Sequence, residues 1–75
     1  MIAMELLRKH VKERRIPASV LSEAMGVSIS TYYRLMESNG EKITVEQSQT
    51  LKNMLSLSNL EYAQIFYPKT LNNES

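Results

Sequence analysis

The stretch from residue 18 to residue 37, ASVLSEAMGVSISTYYRLME, limits what this chain can fold into more than any other part of it. Val20, Leu21 and Met25 give an apolar side to a first segment, and Val27, Tyr32, Leu35 and Met36 give one to a second. Gly26 falls between them, where a helix must stop and the backbone must turn through positive φ, which glycine does without the penalty of a Cβ. Ser28 is a natural N-cap for the second segment, and Val27 and Tyr32 flank it at the spacing of a hydrophobic staple. The pattern predicts two short helices joined at a tight angle, a helix-turn-helix.

The rest of the chain reads as helices around that pair. Met4, Leu7 and Val11 recur at helical spacing and predict a first helix over residues 1–15, ended by Ile16-Pro17. Lys12, Arg14 and Arg15 lie at its C-terminal end, where they suit the helix dipole. The polar turn Ser38-Asn39-Gly40-Glu41-Lys42 closes the second motif helix. Thr44 with Gln47, and Ser58 with Glu61, have the spacing of capping boxes and open helices over residues 45–55 and 59–66. Leu57 and Tyr62 repeat the staple, and Pro68 ends the last helix.

The expected apolar positions of the fourth helix are Val45, Leu51, Met54 and Leu55, and Leu60, Ile65 and Phe66 are expected to close the core under the first helix. Residues 28–33 could pass locally for a strand, but their cap and staple favour helix. The fold class is therefore all-α, five short helices in one domain over residues 1–68, with a polar, frayed tail at 69–75.

Seventy-five residues allow one domain and one small core. With no cysteine, neither a disulfide framework nor a thiolate metal site can hold it. No apolar run approaches the roughly 18 residues of a membrane span, and no signal-peptide pattern opens the chain, so a cytoplasmic protein without membrane contact is expected. The net charge is only +1, but it is unevenly spread. Residues 1–34 carry six Lys or Arg against three Glu, whereas residues 35–75 carry three against five, which suggests a basic face.

Catalysis has little to work with. His10 is the only histidine and reads as a plain surface residue, aspartate is absent, and the eight glutamates are scattered. Neither a nucleophile motif nor metal-ligand spacing occurs, so no enzyme activity, metal or cofactor is expected. A nucleic-acid surface is better supplied. If Tyr32, Leu35 and Met36 face the core, then Ile29, Ser30, Tyr33 and Arg34 face outward. Ile29 suits a thymine methyl, and Arg34 suits guanine O6 and N7 or a phosphate. Ser28, Ser30 and Thr31 are short hydroxyls at a helix start, where backbone N–H groups also favour phosphate. A purely structural role is the plainer alternative: Ser28 and Thr31 as caps, Ile29 packed on a neighbour.

The run Gly26-Val27-Ser28-Ile29-Ser30-Thr31-Tyr32-Tyr33-Arg34-Leu35-Met36-Glu37 resembles the core of the Cro/XRE phage-repressor type of helix-turn-helix. Leu21, Tyr32 and Leu35 fall at its core positions, Met25 and Val27 bracket its turn, and residues 44–67 look like the last two helices of small phage and mobile-element regulators. The resemblance implies a lambda-repressor-like domain whose base contacts fall on Ile29, Ser30 and Arg34, with Ser28 and Tyr33 beside the backbone or a neighbouring base. It implies phosphate contacts from Ala18 and Ser19 and from residues 39–42, Lys42 among them. Four positions depart from the family pattern. Ser22 stands where alanine is common, and Ala18 stands where a polar side chain often grips phosphate. Val11 and Met36 replace a common arginine–glutamate pair.

A sequence-specific regulator of transcription, a repressor, is thus expected. Its partner would be double-stranded DNA, and it would bind as a homodimer to a palindromic site with half-sites about 34 Å apart. Tyr67 and Leu71 are the candidate dimer contacts, and a regulatory protein is a further candidate partner. The alternative is a protein-interaction module, an antirepressor or adaptor, that uses the Ile29-Tyr33 face without binding DNA.

Overall fold

Caps encoded within a few residues set where most of the helices start. Ser28 Oγ accepts from Thr31 N–H at 3.1 Å, Thr44 Oγ1 from Gln47 N–H at 3.1 Å, and Ser58 Oγ from Glu61 N–H at 3.1 Å. Gln47 and Glu61 return the bond to the backbone N–H of Thr44 and Ser58, which completes both capping boxes. The computed structural model describes residues 2–69, and among these the chain is all-α. Its five helices are α1 (Met4–Arg14), α2 (Ala18–Met25), α3 (Ile29–Glu37), α4 (Val45–Met54) and α5 (Asn59–Phe66). None is long and apolar enough to cross a membrane.

α1 starts at Met4, later than its apolar spacing suggested. Ala3 offers no side-chain cap, and its N–H instead donates to Ile65 O at 2.7 Å, tying the start of the chain to α5. α1 ends with Arg15 at φ 55°, and Pro17 opens α2 from an extended conformation that proline is built to hold. Gly26 turns α2 into α3 at φ 74° and donates to the carbonyls of Ser22 and Glu23.

All five helices contribute to one core. Leu7, Leu21, Leu51, Leu55 and Ile65 are fully enclosed, and Met4, Met25, Tyr32, Leu35, Met36, Leu57 and Phe66 surround them. Burying each such side chain contributes about 1.5–3 kcal/mol, so the contacts are the main source of stability in so small a fold. Ser22 and Ser48 are the buried polar residues. Ser22 Oγ donates to Ser19 O at 3.0 Å, the small side chain that lets α2 sit close to its neighbours. Ser48 Oγ lies 2.7 Å from both Val45 O and Tyr62 Oη, and so links α4 to α5.

Three expected core residues are outside it. Val20, Val45 and Leu60 are all exposed. The cause is the frame that each N-cap imposes. From α2 to α5 the fourth helical residue (Leu21, Tyr32, Ser48, Tyr62) and the residue before the cap (Ile16, Val27, Ile43, Leu57) are buried or half-buried. Val45, Leu60 and Val20 occupy the first, second and third helical positions and are turned to solvent. The inward face of α4 is Ser48 and Leu51, continued by Leu55 just past its end and edged by the half-buried Met54, and that of α5 is Tyr62, Ile65 and Phe66.

His10 is also not a plain surface residue. It is half-buried, and its Nδ1 lies 2.9 Å from Arg14 Nη1. Met36 is buried and Val11 half-buried, as an apolar pair would require. An arginine nevertheless reaches the end of α3: Arg8 Nη1 donates to Met36 O at 2.8 Å. Of the residues read as a polar tail, 70–75 lie outside the described residues, and Leu71 with them.

Candidate nucleic-acid interface

α3 has two unlike sides. Tyr32, Leu35 and Met36 are buried, spaced so that one stripe of the helix is locked into the core. Burial pushes the Tyr32 phenol above its ordinary pKa, with Tyr33 adding to the effect, so Tyr32 is a neutral packing group at physiological pH. Its ring meets Tyr33 edge-on at 5.6 Å, which fixes the direction in which Tyr33 projects.

The other side carries Ile29, Ser30, Tyr33 and Arg34, all exposed, with Ile29 at 46% and Tyr33 at 51%. Exposure of Ile29 alone decides nothing, because the cap frame that exposes it also exposes Val45 and Leu60. Its neighbours distinguish it. Within two turns of one rigid helix stand a branched aliphatic side chain, a small hydroxyl, a phenol and a guanidinium. That set can offer van der Waals contact, donors in a fork and a full positive charge from a single face. Among the described residues no carboxylate lies within 4.0 Å of the Arg34 guanidinium.

Ser28 has a structural task. Its hydroxyl accepts from Thr31 N–H and sits 3.0 Å from Thr31 Oγ1, so the two side chains satisfy each other at the start of α3. The N–H groups of Ile29 and Ser30 precede the helical ladder, which begins with Tyr32 N–H donating to Ser28 O at 2.9 Å. They point out of the helix start with the positive end of its dipole.

Ser19 and Lys42 are exposed on separate elements, Ser19 in the first turn of α2 and Lys42 in the turn after α3. That turn is well held. Ser38 Oγ donates to Leu35 O at 2.8 Å and accepts from Gly40 N–H at 3.1 Å, and Gly40 O accepts from Ile43 N–H at 3.1 Å. Gly40 is buried at φ 82° beneath Ile2 and Met4, and a Cβ there would stand 2.9 Å from Ile2 Cβ. The N-terminal segment therefore presses on the turn that carries Lys42. Ile29, Ser30, Tyr33 and Arg34 of α3 and its cap Ser28 form one group, and Ser19 and Lys42 flank it from the preceding and following elements.

Arg8 is the residue of this region that sequence reasoning missed. It lines a cleft between α1 and α3 together with Tyr32, Tyr33, Met36 and Glu37. Its only sequence signal is its place among the basic residues of α1; the contact with Met36 spans 28 residues of chain.

Comparison with protein-family models, characterised proteins and solved structures finds no match for this chain.

Proposed function

We propose that this chain is a sequence-specific DNA-binding regulator of transcription, a repressor of the Cro/XRE type, that works in the cytoplasm by inserting the N-terminal half of α3 into the major groove. The observation that carries this reading is the two-sidedness of α3: Tyr32, Leu35 and Met36 hold it rigidly while Ile29, Ser30, Tyr33 and Arg34 are presented together to solvent. A helix of this width fits the major groove, where those side chains match the donors, acceptors and methyl groups of base edges. The concentration of positive charge in residues 1–34 supports a polyanionic partner.

A nine-residue helix extends about 13.5 Å and spans only a few base pairs, so the reading includes a homodimer on a palindromic site. Tyr67, exposed at the end of α5, is the described residue best placed among the earlier dimer candidates.

One observation favours a second reading. Ile29 and Tyr33 form an exposed apolar pair one turn apart, which equally suits a protein partner. Selection from random duplex DNA with the folded protein separates the two. A palindromic winner, bound with an affinity that falls steeply with salt, is the expected result. No enrichment would overturn the DNA reading in favour of the antirepressor or adaptor alternative.

A further inference from the structure

We propose that Arg8 is a second anchor for the bound duplex, one guanidinium that holds the C-terminal end of α3 and a DNA phosphate at the same time. The inference rests on the DNA-binding reading and adds a contact from α1, outside the helix-turn-helix. Arg8 is exposed, and a single one of its five N–H donors is engaged, Nη1 on Met36 O at 2.8 Å. That carbonyl belongs to the last turn of α3, where backbone acceptors lack helical partners and the dipole favours a cation. The bond therefore fixes the guanidinium against α3 without neutralising its charge. Among the described residues the ion pair within 4.0 Å is Arg14–Glu13, so Arg8 retains its charge for another partner.

The position suits a phosphate. Ile29, Tyr33 and Glu37 succeed one another along one row of α3, and Tyr33 both belongs to the outward group and lines the Arg8 cleft. With the outward side chains on the bases, a guanidinium held beside Tyr33 at the far end of the same helix is offered to the backbone that borders them. Its fork geometry suits two phosphate oxygens, and the Tyr33 phenol can add a third donor. Glu37 lines the same cleft and opposes the anion. The anchor is therefore set by position and carries no information about sequence.

The test measures the dependence of affinity on salt for the wild-type protein, Arg8→Gln and Glu37→Gln, on the selected duplex and on an unrelated one. Loss of one phosphate contact makes the log–log slope shallower by about 0.9. Arg8→Gln is expected to show that change equally on both duplexes, and Glu37→Gln to tighten binding. A purely structural Arg8 would lower the folded fraction and so shift affinity without altering the slope; a slope unchanged in Arg8→Gln therefore overturns the assignment. A wild-type protein that binds DNA while Arg8→Gln keeps its slope fails this inference alone. A wild-type protein without a steep salt slope fails the DNA reading, and the anchor with it.

Discussion

Arg14 donates from Nε to the carbonyl oxygen of Leu55, a bond across 41 residues that fastens the last turn of α1 to the end of α4. The same guanidinium reaches His10 Nδ1 and, at 3.4 Å, His10 O. Leu55 O is a C-terminal carbonyl with no helical partner of its own, so Arg14 fills a vacancy that every helix end leaves. Replacing it with methionine keeps most of the apolar stem and removes the donors. Arg14→Met is expected to lose about 1–3 kcal/mol of stability, read as a lower urea midpoint at unchanged slope. An unchanged midpoint would mean that water serves the Leu55 carbonyl equally well.

The two glycines separate strain from crowding. Both have positive φ, 74° at Gly26 and 82° at Gly40, but Gly26 has open space where a Cβ would go, whereas Gly40 has Ile2 and Met4 within 2.9 Å. Alanine at either position is expected to cost about 1–2 kcal/mol for the left-handed conformation. Gly40→Ala should cost about 1–3 kcal/mol more, because the N-terminal segment must shift. Equal losses in urea unfolding would show that this segment yields freely.

Glu61 predicts a pH dependence. The backbone N–H of Ser58, at 2.8 Å, holds its carboxyl below the ordinary value of 4.5 against the opposing effect of burial, helped by the Ser58 hydroxyl and by the nearby Arg14 guanidinium. A carboxyl lowered in the folded state stabilises the fold above its unfolded pKa and stops doing so as pH falls through the folded value. The wild-type protein should therefore lose stability on acidification from about pH 4.5 downward more than Glu61→Gln does. Parallel pH profiles for the two proteins would contradict the capping role of the charge.

Arg34 divides base reading from phosphate holding. Arg34→Ala is expected to cost about 1–3 kcal/mol on the selected duplex and to relax preference at one base pair, with thermal stability unchanged. A loss of the same size on every sequence would place Arg34 on the backbone instead.

What the sequence made legible was local chemistry. Gly26, the Ser28 cap and the boxes Thr44 with Gln47 and Ser58 with Glu61 act within three residues, and each stands where its spacing indicated. Val20, Val45 and Leu60 are apolar but lie outside the core, because the cap frame directs the fourth helical position inward and leaves these three, at the third, first and second, facing solvent. Arg14 on Leu55, Arg8 on Met36 and Gly40 beneath Ile2 join residues 28 to 41 apart in chain, and nothing in either partner's neighbourhood announces the other. The outward group on α3 was readable because one helix generates it, whereas the place of Arg8 beside that group follows from how α1 packs.

The central claim is that the outer face of α3 meets DNA, and a backbone-amide NMR titration with the selected duplex tests it most directly. The account predicts that the largest shifts fall on residues 28–34, with smaller ones at Ser19 and Lys42. Shifts concentrated instead around Val45 and Tyr67, or none at a full equivalent of duplex, would contradict it.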